Sequence, residues 1–435
     1  MSKFRDVFLE IFAEEKEYAS YFAKQPSFFQ RDLSIEVLPG KALVLTGVRR
    51  SGKSTFLRQM MNRWLEQKSG SFRPLFVNFF DDRLNGIRAE NLSELLDAHF
   101  LLYPETTKEE SLYLFLDEIE VVEGWELFVE RQIRTPGRQV FITGSSSRLL
   151  STEIATAMRG RSLSYEVFPF SFQELVKWEG LTVSALRTDQ MKLRGRLEKY
   201  LTEGGFPEVV HLNAVLQRKI LHEYYEVLLL RDLIERHRTT SVELMRQFLN
   251  LMIQQVAAPM TINKTHERLK SMGLRSDKAT ISEFLKWVED CFMLFPISLF
   301  SESHAKQSTN PKKIYCIDNG LAKTVSAGFS KNTGRLLENS VFLHFRSRGM
   351  KVNYFKDSAG REVDFVVNGG AELFQVCETL ENPETRKREI DALQSAMRFF
   401  GVSLGKVITL GDPQEIVIPE GRIEVISAVK FLLSD

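Results

Sequence analysis

The chain has 435 residues, 43% of them hydrophobic and 26% charged, a globular balance in a chain longer than one hydrophobic core normally uses, so roughly two to four domains are expected. Its 58 Lys+Arg and 57 Asp+Glu leave a formal net charge of +1, which excludes a molecule that is basic overall but leaves room for a local basic face. Cys291, Cys316 and Cys377 are odd in number and widely spaced, which fits neither a disulfide framework nor a paired-CxxC zinc site, and acidic residues break up the N-terminal apolar stretch. With no uninterrupted apolar run of about 18 residues, a cytoplasmic protein without a membrane partner is expected.

Taken in chain order, residues 4 to 25 read as an amphipathic helix, followed by a polar, Pro-containing stretch to Pro39. Lys41 to Thr46 is apolar without alternation, as a parallel strand covered on both faces requires. Thr55 to Gln67 has helical spacing, Pro74 to Phe80 reads as a second buried strand, and an amphipathic segment spans Asn91 to Leu102. Leu112 to Leu116 is a third strand, Trp125 to Arg134 a helix and Gln139 to Thr143 a fourth strand. Strand alternating with helix predicts an α/β fold with a parallel sheet. From Phe172 to Arg238 the pattern is mostly helical, with a break at Gly204-Gly205-Phe206-Pro207. Residues 241 to 318 show three short helical segments and then apolar stretches separated by the polar loop Ser301 to Pro311; from Gly334 the order is helix, three strands, helix, strand.

The chemistry starts at Gly47-Val48-Arg49-Arg50-Ser51-Gly52-Lys53-Ser54-Thr55, which satisfies GxxxxGK[ST] between a strand and a helix. Glycines let the backbone turn so that successive N–H groups and the helix N-terminus converge on a β-phosphate. Lys53 is expected to reach β- and γ-oxygens, Ser54 to give its hydroxyl to Mg²⁺ and Thr55 to contact the α-phosphate. The third strand ends in Asp117-Glu118, which suits Asp117 to magnesium, largely through bound water, and Glu118 to activating the hydrolytic water. The fourth strand runs into Gly144-Ser145-Ser146-Ser147, where Ser145 is either a sensor of the γ-phosphate or part of a plain polar turn. Arg161, ahead of Arg159, is the candidate to stabilise transferred phosphoryl charge within the subunit or across an interface; a surface arginine pair is the alternative.

With these residues placed, the chain resembles a prokaryotic family of AAA-type P-loop ATPases that carry a winged-helix segment and a C-terminal restriction-endonuclease-like domain. Ten segments carry the resemblance: GVRRSGKST (47–55), FLDEIE (115–120), ITGSSS (142–147), RGR (159–161), FPFSFQEL (168–175), GGFPEVV (204–210), LLLRDL (228–233), KIYCIDNGL (313–321), GRLLEN (334–339) and REVDFVV (361–367). The resemblance implies ATP as the nucleotide, a P-loop ATPase domain with an N-terminal helix over 1–170, a helical lid-like region over 171–240, a winged helix over 241–320 and a nuclease-like domain over 321–435. Ring, dimer and monomer stay open at this point, a homo-oligomer among them, because one arginine candidate does not show whose γ-phosphate it approaches.

Residue spacing supports the winged helix independently: Ile281, Phe284, Leu285, Val288 and Phe292 recur at helical intervals after the Met272-Gly273 break. Such a module places a helix in a DNA groove and wing lysines, here Lys306, Lys312 and Lys313, on phosphates. The helix nevertheless carries Glu283, Glu289 and Asp290 against Lys278 and Lys286, so packing or protein contact is the competing use. In the last domain Glu338 and Asp364 match the acids of a nuclease site, but Gln375 stands where an acid and Cys377 where a lysine would be. A neutral amide is a weak magnesium ligand and a thiol cannot replace an ammonium, so binding without cleavage is expected unless Lys356, Arg361 or a residue outside the motif substitutes. Pairing of Asp364 with a neighbouring base is the structural alternative.

Overall fold

The computed structural model describes residues 3–23, 29–31, 33–67, 73–104, 112–144, 158, 160–301, 303, 310–326 and 332–434. These divide into two units, Met1–Val167 and Phe168–Asp435.

The first unit contains α1 (Lys3–Ala23), β1 (Ala42–Thr46), α2 (Lys53–Gln67), β2 (Leu75–Asn78), α3 (Leu92–Leu102), β3 (Leu112–Asp117), α4 (Trp125–Arg134), β4 (Arg138–Thr143) and β5 (Ser162–Glu166). The strands form one sheet in the order β2-β3-β4-β1-β5, and every neighbouring pair is parallel. Successive strand residues point to opposite faces, and both faces are covered. Ala42, Val44, Val77, Leu116 and Val140 join Phe8, Phe12, Leu95 and Phe128 in one core, whereas Leu43, Leu45, Phe76, Phe115 and Phe141 join Phe56, Leu57 and Met60 of α2 in another. This explains the unbroken apolar runs of β1 and β3. The sequence pattern misses β5, whose five residues are all half-buried at the sheet edge and include no apolar run.

The second unit opens with α5 (Phe172–Trp178), α6 (Arg187–Glu203) and α7 (Ala214–Val227), the last running into a π-helical stretch at Leu228–Glu235. Then follow α8 (Val242–Gln254), β6 (Pro259–Met260), α9 (Ile262–Ser271), α10 (Lys278–Asp290), β7 (Leu294–Ser298) and β8 (Lys312–Cys316), with an antiparallel sheet β6-β8-β7. Thr261 and Asp277 cap α9 and α10 by accepting from Lys264 N and Thr280 N. All five apolar residues expected to line the helix, Ile281 to Phe292, are buried.

The chain closes with α11 (Asn319–Val325), α12 (Thr333–Ser347), β9 (Val352–Lys356), β10 (Glu362–Val367), β11 (Glu372–Cys377), α13 (Pro383–Phe400), β12 (Leu404–Thr409), β13 (Gln414–Ile418), β14 (Gly421–Ser427) and α14 (Ala428–Leu432). Its six strands form a mixed sheet in the order β13-β14-β12-β11-β10-β9, with parallel pairs only at β11-β12 and β12-β14. The expected order from α12 to β12 is present, and the β13–β14 hairpin and α14 extend it. β13 is the outer strand and mostly exposed, so it lacks the apolar alternation that would announce it. Among the described residues no helix is long and apolar enough to cross a membrane.

One buried node ties three of the quoted segments together. Asp318 accepts from Gly205 N at 2.6 Å and Leu321 N at 2.9 Å, while Phe170 N donates to Gly205 O at 2.7 Å. Burial pushes the Asp318 carboxyl up to about 6, against the backbone N–H groups that favour its charge. A methyl group on Gly205 would lie 2.1 Å from Phe170 O, and one on Gly320 would lie 2.1 Å from Glu203 O. Glycine is therefore a packing requirement at both. Gly205→Ala is expected to destabilise the second unit by about 1–3 kcal/mol, whereas Gly195→Ala, in α6 with nothing within 4 Å of the new methyl, is expected to stabilise it by about 0.5–1 kcal/mol. Urea unfolding of the two variants beside the wild type checks both signs.

Candidate functional site

The loop joining β1 to α2 leaves the sheet at its C-terminal edge. Gly47 takes φ 143° and Gly52 φ 96°, and a methyl group on Gly47 would lie 2.3 Å from Val167 O, so only glycine lets the backbone pass. Arg50, at φ 66°, is a left-handed non-glycine residue, a conformation that costs energy and is retained mainly where a loop has a task. Lys53 is 5% exposed, and its Nζ donates to Gly47 O at 3.0 Å and Val48 O at 2.9 Å, folding the side chain over the loop. Burial pushes its ammonium below the usual range, opposed by Glu118, Glu120 and Asp117. Val48 and Ser51 are buried, Ser54 and Thr55 half-buried, and the Arg49 guanidinium lies 5.8 Å from the Phe80 ring centroid.

Asp117 ends β3 beside this loop. Ser54 Oγ donates to its Oδ1 at 2.9 Å, and Thr143 Oγ1, at the tip of β4, donates to the same oxygen at 2.5 Å. The Thr143 hydroxyl also accepts from Glu118 N at 2.9 Å. Burial raises the Asp117 carboxyl above its usual range and Glu118 to about 7, with Lys53 the largest opposing influence on Glu118. Glu118 sits at φ 55°, a second strained residue in the site. Asp117 Oδ2, Glu118 Oε2 and Ser51 Oγ are buried without a hydrogen-bond partner among the described residues. Orphaned polar atoms of this kind are costly. Three of them facing one loop suit a charged, hydrogen-bonding ligand that brings a hard cation.

The sequence-predicted residues Lys53, Ser54, Asp117 and Glu118 thus converge, and the structure adds Thr143, which the sequence reading passed over for Ser145. The signal was present: a hydroxyl residue at the end of the strand adjacent to the acidic one. Ser145 and Arg159 lie outside the described residues. Arg161 stands apart. Its backbone O accepts from Ala42 N at 2.8 Å, at the start of β1, whereas the loop leaves the far end of that strand, roughly 13 Å on at about 3.3 Å per residue. The Arg161 backbone thus starts from the opposite edge of the sheet, because Ser162, the first residue of β5, pairs in parallel with Ala42.

The second unit holds a cavity of about 740 Å³ whose lining includes Lys313, Glu338, Asp364, Gln375, Cys377 and Glu389. Lys313, expected on the wing to meet phosphate, is instead 2% exposed, and its Nζ bonds Asp364 at 2.7 Å, Glu338 at 3.0 Å and Glu362 at 3.0 Å. It lies in β8, where residues 313 to 316 are all buried, and faces carboxylates of α12 and β10. Burial works against its charge, but Asp364, Glu338 and Glu362 outweigh this and hold the ammonium well above its usual range. Glu338 also accepts from Tyr315 Oη at 2.7 Å; burial and then Asp364 push it up to about 7. Gln375 accepts from Asp364 N at 3.1 Å and donates to Glu389. Cys377 is buried. Asp364 is therefore paired to a base, and that base comes from outside the motif.

Thr143 offers a direct check on the first site. Thr143→Val keeps the shape but leaves Glu118 N–H without its acceptor and Asp117 short of a donor, so urea unfolding should report a loss of about 1–3 kcal/mol in the first unit.

Residues 39–176 match the AAA domain family, and residues 194–332 match a domain of unknown function (DUF8612). The uncharacterized protein MJ1544 of Methanocaldococcus jannaschii is 34% identical over 426 residues, covering 95% of this chain and 92% of that protein. An uncharacterized protein of Haemophilus influenzae is 27% identical over 391 residues, covering 90% and 94%. Among solved structures, the Aeropyrum pernix ORC1 protein in complex with DNA overlaps 76% of this chain and 93% of its own at 15% identity and a TM-score of 0.28. AMPPCP-bound DnaA from Aquifex aeolicus overlaps 59% and 83% at 14% identity and a TM-score of 0.25. Overlaps this loose say nothing of function. Identity at the level of MJ1544, across nearly the whole of both proteins, together with the match over 39–176, means that the chain belongs to the MJ1544 family and carries an AAA domain of the P-loop type.

Proposed function

We propose that the protein is a magnesium-dependent ATPase that uses nucleotide state to rearrange its second unit on a partner, with DNA the partner to test first. The observation that carries this is the convergence of Lys53, Ser54, Asp117, Glu118 and Thr143 around one loop, with two carboxylate oxygens and one hydroxyl lacking partners among the described residues.

In this reading the backbone N–H groups from Val48 to Ser54 cradle the β-phosphate, Thr55 meets the α-phosphate, and Lys53 exchanges the Gly47 and Val48 carbonyls for β- and γ-oxygens. Ser54 would hold magnesium through its hydroxyl and Asp117 largely through bound water, and the ion would supply positive charge against the phosphates. Glu118 accepts a proton from the water that attacks the γ-phosphorus as the bond to the ADP oxygen breaks. The Glu118 carboxyl is buried beside the loop with Oε2 lacking a partner among the described residues, which suits it to that proton transfer. Thr143 keeps both acids in register. An arginine from a second copy, Arg161 or Arg159, completes the charge stabilisation in a homo-oligomer. Phosphate release by purified protein is the test: Lys53→Ala should lose nucleotide binding, and Glu118→Gln should bind but turn over at least about 100-fold more slowly. Equal background release by all three proteins would end the ATPase reading.

The helix pair α9–α10, followed by the β7–β8 hairpin and joined by β6, has the element order of a winged helix, which favours DNA, and the C-terminal mixed sheet suits the nuclease-like reading. Burial of Lys313 and the acids of α10 weaken that case and favour the alternative, a nucleotide-regulated protein-interaction module with slow hydrolysis. A third reading, an active ATP-dependent nuclease, gains one observation: Lys313 supplies the ammonium missing at 377. Its full engagement by three carboxylates supports binding without cleavage instead. Duplex DNA titrated with salt and incubated with Mg²⁺ separates these. Binding that weakens steeply with salt without cutting is the expected result; no binding at low salt favours a protein partner, and cutting that is lost in both Lys313→Met and Asp364→Ala establishes the nuclease.

A further inference from the structure

The nucleotide loop is held from outside as well as from within. Residues Phe29 to Arg31, in the stretch that precedes β1, run along α2, the helix that begins with Lys53 and Ser54. Gln59 and Arg63 lie one turn apart on the same face of α2. Gln59 donates to Phe29 O at 2.8 Å and accepts from Arg31 N at 3.3 Å, and Arg63 donates to Arg31 O at 2.8 Å. The segment so fixed sends a side chain back to the loop: Arg31 Nη1 donates to Ser51 O at 3.1 Å, and Arg31 is only 6% exposed. Loop, helix and segment form a closed circuit of hydrogen bonds.

Lys53 secures the carbonyls of Gly47 and Val48 from the inner side, and Arg31 secures that of Ser51. The two tethers differ in what a ligand does to them. Lys53 must give up both carbonyls to reach phosphate oxygens, so its grip on the loop ends as the nucleotide arrives. Arg31 holds a backbone carbonyl that is not itself a phosphate ligand, so the bond need not be given up when a phosphate binds. A charge-assisted bond from a planar guanidinium is strong and directional.

We propose that Arg31 is a positioning residue for the nucleotide: by holding the Ser51 carbonyl outward it keeps the next amides, from Gly52 to Ser54, turned toward the phosphates once Lys53 has moved. This rests on the reading that the loop binds Mg-ATP. Arg31 therefore contributes more to the bound state than to the empty one, which a residue serving only the core would not do.

The experiment measures KM and kcat for phosphate release, calorimetric Kd for Mg-AMPPNP and the melting temperature without nucleotide and in saturating Mg-AMPPNP in the full chain, for wild type, Arg31→Gln, Arg31→Lys and Arg63→Ala combined with Gln59→Ala. Arg31→Gln should raise KM and Kd about tenfold with kcat within about threefold, the size expected when a charged donor is removed from a buried carbonyl. Arg31→Lys, which retains a charged donor, should recover most of the affinity; Arg31→Gln should lower the nucleotide-free melting temperature, because the bond to Ser51 O is made without nucleotide, and should lower the melting temperature in saturating Mg-AMPPNP further. Folded Arg31→Gln with KM and Kd within about twofold of wild type overturns the proposal, as does a joint fall of melting temperature and kcat at constant KM. Should Arg31→Gln not fold, Arg63→Ala combined with Gln59→Ala decides: together they remove all three bonds that hold the segment to α2 while leaving the Arg31 guanidinium intact, so a raised KM supports the proposal and an unchanged KM refutes it. A wild type that neither binds nor hydrolyses fails at the level of the ATP reading, and is distinguished by failing before any variant is compared.

Discussion

The first unit is organised around a single carboxylate oxygen. Asp117 Oδ1 accepts from Ser54, at the start of α2, and from Thr143, at the end of β4, so one atom joins three elements whose residues lie far apart in the chain. Its companion Oδ2 is buried and receives nothing from the described residues. Such an atom is tolerated only where the surrounding packing is strong enough to offset its desolvation. The two cores on either face of the sheet supply that packing, and the parallel order β2-β3-β4-β1-β5 sets the ends of β3, β4 and β1 side by side.

The second unit treats buried charge in the opposite way. Lys313, Glu338, Glu362 and Asp364 satisfy one another, and Gln375 links Asp364 to Glu389. A closed network of this kind rigidifies and specifies an arrangement more than it stabilises it. It joins β8, α12, β10 and β11, so the three-stranded and six-stranded sheets are held by charge as well as by apolar contact. The orphaned oxygens of one unit and the satisfied ions of the other are the physical ground on which the proposed hydrolysis is placed in the first and the proposed binding in the second.

The elements that the sequence pattern recovered are those with a local cause. β1 and β3 are short apolar runs because both faces are covered, and α10 shows its buried face as Ile281, Phe284, Leu285 and Val288. The elements it missed lie at edges. β5 is half-buried throughout and β13 mostly exposed, and neither has the contrast between faces on which periodicity depends. The site follows the same division. Gly47 to Ser54 is contiguous, and the Asp117-Glu118 pair closes a strand, so both were legible. Thr143 was overlooked in favour of Ser145 because a hydroxyl at a strand tip acquires meaning only from what the neighbouring strand brings beside it. Arg31, in a stretch that reads as a polar leader, carried no signal at all.

By itself the sequence determined the phosphate loop, the acidic strand end and the order of most helices and strands, since these rest on local sterics and on short-range periodicity in burial. Tertiary structure alone decided which distant residues share an atom or a charge. Parallel pairing of β5 with β1, Ser162 beside Ala42, placed the Arg161 backbone at the edge of the sheet away from the loop, and burial of β8 beside α12 and β10 turned Lys313 from an expected wing contact into the centre of a buried cluster. Strand register and side-chain direction depend on closing long loops against a particular neighbour, and no window of sequence contains both partners.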